Sequence, residues 1–108
     1  MRLVAAAQMF RALGDRTRLR ILNLLNRREC TGTELADVLR VPRGRVARHL
    51  RYLHKSQMVS TRHTGGEAYY RLRPGTERLR QSLVRRIIPQ LSDIDGLNAD
   101  LTRLARRG

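Results

Sequence analysis

The sequence has few cysteines, few aromatic residues and no long apolar run, and each shortage excludes a class of protein. A single cysteine, Cys30, rules out an internal disulfide framework and agrees with a reducing compartment. Aromatic residues make up only 4% of the chain, so few side chains are available to stack on the bases of single-stranded nucleic acid. No apolar stretch approaches the roughly 20 residues of a membrane span, and Arg11 interrupts the early alanines of any signal peptide. We therefore expect a cytoplasmic protein with no membrane partner.

Carboxylates are also scarce, and their distribution is uneven. Nine Asp and Glu stand against 23 Lys and Arg, 22 of them Arg, for a net charge of +14. Residues 38 to 66 contain no carboxylate, seven cations and all three histidines. Arginine favours phosphates and guanine edges, so this third of the chain predicts a surface for a polyanion. The segment offers no acid pair for metal ions, and Ser, His and Asp form no recognisable nucleophile arrangement. We therefore predict neither an enzyme nor a cofactor.

A helix with a cationic outer face lies inside this basic segment. Val46, Leu50 and Leu53 recur at helical spacing and predict a stripe that faces a core. Pro42 is suited to a first helical position, so the helix is expected over about residues 42 to 56. The arginines project from the opposite side of this helix.

A shorter helix is expected just before it. Thr31 and Glu34 match a capping box, which predicts a helix over about residues 32 to 39. Two short helices joined by only Arg40 and Val41 indicate a helix-turn-helix over about residues 32 to 56, with the second as recognition helix.

A β-hairpin is expected after the recognition helix. Two runs rich in β-formers flank Gly65 and Gly66, which accept the positive φ of a tight turn. A hairpin in this place, over about residues 58 to 72, is a wing. The predicted fold class is therefore mainly α with a small β-hairpin wing, a winged helix-turn-helix formed as one domain by residues 1 to 108.

The terminal segments show apolar stripes that a small winged domain cannot easily bury by itself. Helices are expected over residues 3 to 13 and, with a kink or break at Pro89, over about 76 to 106. Asp15 can cap a further helix over about Asp15 to Asn26, which would leave Arg16, Arg18 and Arg20 in solvent. We predict that the terminal helices form a dimer surface, the alternative being that they only complete the core of one chain. The residues assigned to the dimer interface are Leu3, Ala6, Phe10, Leu83, Ile87, Leu97, Leu101 and Leu104.

The residues predicted to touch DNA lie on the recognition helix and on the wing. A solvated face is the alternative for the helix arginines, and a structural hydrogen bond is the alternative for His49. Two wing residues would reach a phosphate or the minor groove, unless the wing tip moves freely. The predicted DNA-binding set is Arg43, Gly44, Arg45, Arg48, His49, Arg51, Arg62 and His63.

Four segments, in order and at matching spacing, resemble the ArsR/SmtB family of bacterial winged-helix repressors. They are Phe10–Leu22 (FRALGDRTRLRIL), Glu34–Leu39 (ELADVL), Val46–Leu50 (VARHL) and Tyr69–Leu72 (YYRL). The resemblance covers about residues 3 to 95. It implies a homodimer, paired through its first and last helices, that binds a double-stranded operator with an inverted repeat and leaves it when an inducer arrives.

The metal-sensing sites of that family are not matched. Thr31 and Thr33 stand where the resemblance places two cysteines, and Cys30 is displaced by one position. Soft metals need several converging thiolates, and no histidine follows His63 to supply the other common site, so no metal site is predicted.

Three other functions stay open beside a sequence-specific homodimeric repressor. The +14 charge fits an architectural protein that coats DNA without reading its sequence. A protein partner docking on the terminal helices is a second alternative. Oxidation of Cys30 is a third, because a helix start near Arg27 and Arg28 lowers a thiol pKa.

Overall fold

Helices surround one small antiparallel sheet in the computed structural model, which describes residues 1–107. This arrangement confirms the mainly helical fold with a wing. In chain order the elements are α1 (Leu3–Leu13), α2 (Arg16–Arg27), β1 (Cys30–Thr31), α3 (Gly32–Leu39), α4 (Arg43–Lys55), β2 (Val59–Thr64), β3 (Glu67–Leu72), α5 (Arg78–Ser82), a π-helical turn (Leu83–Ile87), a 3₁₀ segment (Ile88–Asp93) and α6 (Asn98–Arg107).

Two helices begin at the side-chain caps that their sequences predict. The Asp15 carboxylate accepts a hydrogen bond from the Arg18 amide at 3.0 Å and caps α2. Thr31 and Glu34 form the predicted capping box at α3: the Glu34 amide donates to Thr31 Oγ1 at 3.1 Å and the Thr31 amide to Glu34 Oε1 at 2.9 Å. These bonds satisfy amides that have no partner inside the helix.

A three-residue turn joins α3 to α4 and completes the predicted helix-turn-helix. Arg40 ends α3 in the left-handed conformation, with φ of 58°. Pro42 precedes α4 as its N-cap residue, and its carbonyl accepts from the amides of Arg45 and Val46 at 3.0 and 3.1 Å. The helix thus begins one residue later than expected. Val46, Leu50 and Leu53 are buried, as their spacing predicts.

The sheet has the strand order β1-β3-β2, with β2 and β3 forming the predicted wing. Gly65 and Gly66 have φ of 56° and 79°, the pair of positive values that a tight hairpin turn requires. No sequence pattern indicates β1, a two-residue strand that pairs Cys30 with Tyr70 and Thr31 with Tyr69. Through β1 the middle of β3 is tied to the start of α3.

The π-helical turn changes which isoleucine of the C-terminal segment is buried. Normal helical spacing from Leu83 places Ile87 on the core side, but the Ile88 amide donates to the Leu83 carbonyl, five residues back. Ile88 is therefore fully buried, whereas Ile87 is 47% exposed. Pro89 follows at the start of the 3₁₀ segment, where its missing N–H is tolerated. The kink or break predicted at Pro89 is therefore present, as a π-helical turn followed by a 3₁₀ segment.

The last helix folds back on the same chain. Gly96, with φ of 91°, lies in the turn before α6, and α6 packs against α2 and α3. Leu97 and Leu104 are buried in the core of the single chain, and so is Leu83. The assignment of these three residues to a dimer interface is corrected accordingly, because one chain alone already covers them. Leu101 is partly buried against the same core.

Candidate nucleic-acid interface

The outer face of α4 carries a row of exposed cations without partners. Arg43, Arg45, Arg48, Arg51 and Lys55 are exposed. Among residues 1–107, none of these five side chains forms an ion pair or a hydrogen bond. Since no carboxylate of the described residues pairs with them, their charges are available to a polyanion.

The first turn of α4 adds to this positive character. It has no acidic residue and begins at exposed Arg43, followed by exposed Gly44. Apart from its chain neighbours and the backbone of α4 itself, nothing lies within 4 Å of the position where a Cβ on Gly44 would stand, so the helix is open to solvent there. Free amides at a helix N-terminus attract phosphate, and the arginines of this turn reinforce the attraction.

Arg18 connects α4 to α1, a role that the sequence did not indicate. Its guanidinium donates to the carbonyl oxygens of Ala12 and Arg11 at 3.0 and 3.1 Å, at the end of α1. Its Cζ atom lies 4.0 Å from the centre of the Tyr52 ring, a cation–π contact. The expectation that Arg18 stays in solvent is therefore wrong. Arg18 fixes one side of α4 against the end of the first helix.

His49 takes the structural hydrogen bond rather than pointing freely outward. Its Nδ1 lies 3.4 Å from Nη1 of Arg18. An arginine only donates, so Nδ1 is the acceptor in this contact, and Oδ2 of Asp15 lies 3.8 Å from the same nitrogen. Burial lowers the pKa of His49, an effect that Asp15 opposes and the neighbouring arginines reinforce. His49 is neutral at pH 7 and keeps one N–H to donate.

We expect His49 to make the stability of the fold depend on pH below neutrality. Its folded-state pKa lies below the ordinary 6.5, so the unfolded chain binds the proton first and stability falls as pH drops below about 6.5. Urea unfolding of the wild type and of His49→Gln at pH 7.5 and 5.5 measures this loss. The variant should lose less free energy of unfolding between the two values. Equal losses would show that His49 carries none of the pH dependence.

Arg62, predicted to contact DNA from the wing, is engaged inside the chain. Its Nη2 and Nε atoms donate to Glu29 Oε2 at 2.8 and 3.2 Å, and its guanidinium lies 4.9 Å from the centre of the Tyr69 ring. The Arg62 guanidinium lowers the pKa of the Glu29 carboxyl. Arg62 thus differs from the α4 arginines, because a carboxylate already offsets its charge and occupies two of its donor nitrogens. His63 is exposed at the wing tip.

Cys30 does not have the environment of a reactive thiol. It lies in β1, has no exposed surface, and its Sγ lies 3.6 Å from the Arg28 carbonyl oxygen. Burial raises the pKa of the thiol to about 11, and this outweighs the opposing effect of Arg28. The expectation of a pKa lowered by nearby arginines is therefore wrong, since desolvation is the larger effect.

We expect the folded protein to react with thiol reagents far more slowly than the unfolded chain. A pKa of about 11 leaves little thiolate at pH 7.5, and burial blocks access to the sulfur. Labelling with iodoacetamide in buffer and in 6 M guanidinium, followed by mass spectrometry, measures both rates. Rapid modification of the native protein, with operator binding lost after mild peroxide, would restore the redox hypothesis.

The exposed apolar surface is concentrated on α1. Leu3 and Phe10 are 86% and 54% exposed, and Val4 lies beside them. Ile87 of the C-terminal segment is also exposed, whereas Ala6 is half-buried. A dimer surface therefore remains a prediction for Leu3, Ala6, Phe10, Ile87 and Leu101.

Two further expectations concern metal ions and membranes. In the described part of the chain, no three His, Cys, Asp or Glu side chains gather as metal ligands would. The Thr31 hydroxyl, at a position where the family resemblance places a thiolate, is bonded to the Glu34 amide. No helix within residues 1–107 is long and apolar enough to cross a membrane.

A helix-turn-helix with an unpaired cationic second helix and a hairpin wing defines a winged-helix DNA-binding domain. Residues 15–61 match the model of the bacterial regulatory protein, arsR family. The chain belongs to this family of transcriptional regulators, as its sequence resemblance indicated.

Individual relatives agree with this assignment. The chain is 36% identical over 77 residues to the HTH-type transcriptional regulator KmtR of Mycobacterium tuberculosis, covering 71% of this chain and 58% of KmtR. It is 39% identical over 67 residues to an uncharacterized HTH-type transcriptional regulator of Methanocaldococcus jannaschii, covering 60% of this chain and 74% of that one. The crystal structure of NolR from Sinorhizobium fredii superposes with a TM-score of 0.66 at 28% identity, covering 85% of each chain. The chain thus spans little more than half the length of KmtR.

Proposed function

We propose that the protein is a homodimeric repressor that binds a specific double-stranded DNA operator. Each α4 enters a major groove, and the two wings lie against the flanking backbone. Occupancy of the operator then blocks transcription of the gene beside it. The DNA-contacting residues in this proposal are Arg43, Gly44, Arg45, Arg48, His49, Arg51, Arg62 and His63.

The observation that carries this proposal is the set of unpaired cations on α4. Arg45 and Arg48 are exposed near the start of a helix whose opposite face is buried. Arginine pairs with the O6 and N7 atoms of guanine through two hydrogen bonds, which distinguish one base pair from another. Arg51 and Lys55 lie farther along the helix, where contacts to phosphate are expected to set its position.

The exposed apolar face of α1 supports the dimer. A side chain such as Leu3, 86% exposed, is unfavourable in water and is covered when two copies pair. A twofold dimer places two α4 helices on one side of the DNA. The operator is therefore expected to be an inverted repeat with half-sites about 34–36 Å apart, one turn of DNA.

Release from the operator is proposed not to depend on a metal held by the family's two common sensor sites. The chain has one buried cysteine and no histidine after His63, so neither set of ligands is complete. We expect zinc and arsenite to leave operator affinity unchanged in a binding assay. Release of the DNA by either ion at micromolar concentration would contradict this part of the proposal.

The decisive experiment selects bound sequences from a random pool of double-stranded DNA with the full chain. Enrichment of an inverted repeat, followed by a footprint on that sequence, supports the proposal. Diffuse protection without a preferred sequence would count against it. Analytical ultracentrifugation of the complex should give two chains per operator.

An architectural role is the competing function, and the charge of +14 is the observation in its favour. A protein that only neutralises phosphates binds selected and random DNA alike, with affinity falling in salt at a slope of about −0.9 per phosphate. Titrations of both DNAs at two salt concentrations therefore separate the two functions. A preference for the selected sequence that persists at the higher salt excludes the architectural role.

A further inference from the structure

A buried carboxylate links the last helix to the second. Asp100, in the first turn of α6, is only 1% exposed. Its two oxygens accept hydrogen bonds from Nε and Nη2 of Arg20 at 2.8 and 2.9 Å. Its Oδ1 also accepts from Nη2 of Arg103, one turn along α6. We call Arg20, Asp100 and Arg103 the Asp100 cluster.

Both arginines of the Asp100 cluster also bind the end of α3. Nη2 of Arg20 donates to the Leu39 carbonyl at 2.8 Å, and Nε of Arg103 donates to the Val38 carbonyl at 2.6 Å. The last carbonyls of a helix have no partner inside it and carry partial negative charge. The last turn of α3 contains no basic residue, so α2 and α6 supply these positive donors.

These carbonyls lie immediately before the turn that directs the recognition helix. Arg40 follows Leu39 in the left-handed conformation, and α4 begins at Arg43. The Val41 amide donates to the Ala36 carbonyl at 3.2 Å, so the turn and the end of α3 form one hydrogen-bonded unit. A shift of these last carbonyls therefore changes the direction in which α4 leaves the turn.

The last helix also holds the outer side of α3. Nη1 of Arg107 donates to Asp37 Oδ2 at 2.9 Å, and its Nε lies 3.8 Å from Glu34 Oε2. Within α6, Asp100 is the one carboxylate beside three arginines. Without the Asp100 charge, Arg20 and Arg103 would lie close together as like charges and would repel each other from the α3 end.

We infer that Asp100 is a positioning residue for DNA recognition. By holding Arg20 and Arg103 on the last carbonyls of α3, it fixes the helix-turn-helix and hence the direction in which α4 presents Arg45 and Arg48. The effect of Asp100 on DNA recognition rests on the proposed function. The effect of Asp100 on the turn between α3 and α4 is measurable without DNA.

The test compares Asp100→Asn and Arg103→Gln with the wild type. Hydrogen–deuterium exchange is measured for the amides of residues 40 to 46, apart from Pro42, and, as an internal reference, for those of the wing. The ratio of affinities for the selected operator and for random DNA is measured in parallel. Arg103→Gln keeps the pair between Arg20 and Asp100, so it supplies the result if Asp100→Asn does not fold.

Exchange at residues 40 to 46 is expected to rise in both variants relative to the wing. The affinity ratio should fall about tenfold in Asp100→Asn, the loss of roughly one specific base contact, and less in Arg103→Gln. Ile88→Val is the matched control, because it removes a methyl group from the buried core but leaves the contacts to α3 intact. It should lower the melting temperature and leave the affinity ratio unchanged.

Two results would overturn the inference. One is exchange at residues 40 to 46 that rises no more than exchange in the wing, which would make the Asp100 cluster a general support of the fold. The other is an affinity ratio in Asp100→Asn equal to that of the wild type, provided that the wild type itself discriminates between the two DNAs. If the wild type itself binds both DNAs alike, the proposed function fails, and the exchange data alone decide the role of Asp100.

Discussion

A Phe10→Glu variant is expected to be a folded monomer at concentrations where the wild type forms the proposed dimer. Fully burying a Phe side chain contributes about 1.5–3 kcal/mol, and Phe10 is 54% exposed on α1, so covering its exposed half contributes about 1–1.5 kcal/mol. In a twofold interface the residue occurs twice, so the loss is about 2–3 kcal/mol per dimer. A carboxylate brought into the apolar surface adds a desolvation cost. Sedimentation velocity measures the dissociation constant.

The control for this variant is Asn26→Glu. Asn26 is exposed near the end of α2, outside the terminal segments assigned to the dimer surface, so it gains the same charge there. It should remain a dimer, and both variants should keep the helical circular dichroism of the wild type. Affinity for the operator is expected to fall with the loss of the dimer, since one half-site then binds alone. A Phe10→Glu protein that stays dimeric would place the interface elsewhere.

Replacing Arg48 or Arg45 with alanine is expected to weaken the distinction between operator and random DNA. Each loses about 1–3 kcal/mol of discrimination, the contribution of one bidentate contact to guanine. The physical reason is that both side chains are exposed at the start of α4 and unpaired in the described structure. Fluorescence anisotropy with the selected sequence, with single-base variants of it and with random DNA measures the effect.

Arg106→Ala is the matched control for the arginine variants. It removes the same charge from α6, where Arg106 is exposed. Arg106→Ala should change the affinities for all DNAs together, by a small amount that salt suppresses. If Arg45→Ala and Arg48→Ala behave in the same uniform way, these arginines contact the backbone and other residues read the bases.

Most of the helical boundaries could be predicted because they depend on neighbouring residues. The Asp15 cap and the capping box of Thr31 with Glu34 act over three residues, and the two glycines set the hairpin turn by their own conformational freedom. The buried stripe of α4 follows from its spacing alone. For the same reason the cationic face of α4, which is the opposite side of that stripe, follows from the order of residues in the helix.

The remaining features depend on residues that are distant in the sequence. Asp100 and Arg20 are separated by 80 residues, and Arg18 meets His49 across 31. Helical patterns alone assign Asp100, Arg20 and Arg18 to the surface. Similarly, a π-helical turn buries Ile88 instead of Ile87, because one additional residue per turn shifts the stripe.

The sequence by itself determined the class of the protein: a winged helix-turn-helix with a row of arginines on its second helix. It did so because caps, turns and helical stripes are local interactions, and because charge is visible in composition. Only the tertiary structure decided which arginines are available. It engages Arg18, Arg20, Arg62 and Arg103 with partners inside the chain, and it buries Cys30 and much of the last helix. These outcomes depend on which surfaces meet when the chain folds back on itself, and the spacing of residues along the chain does not contain that information.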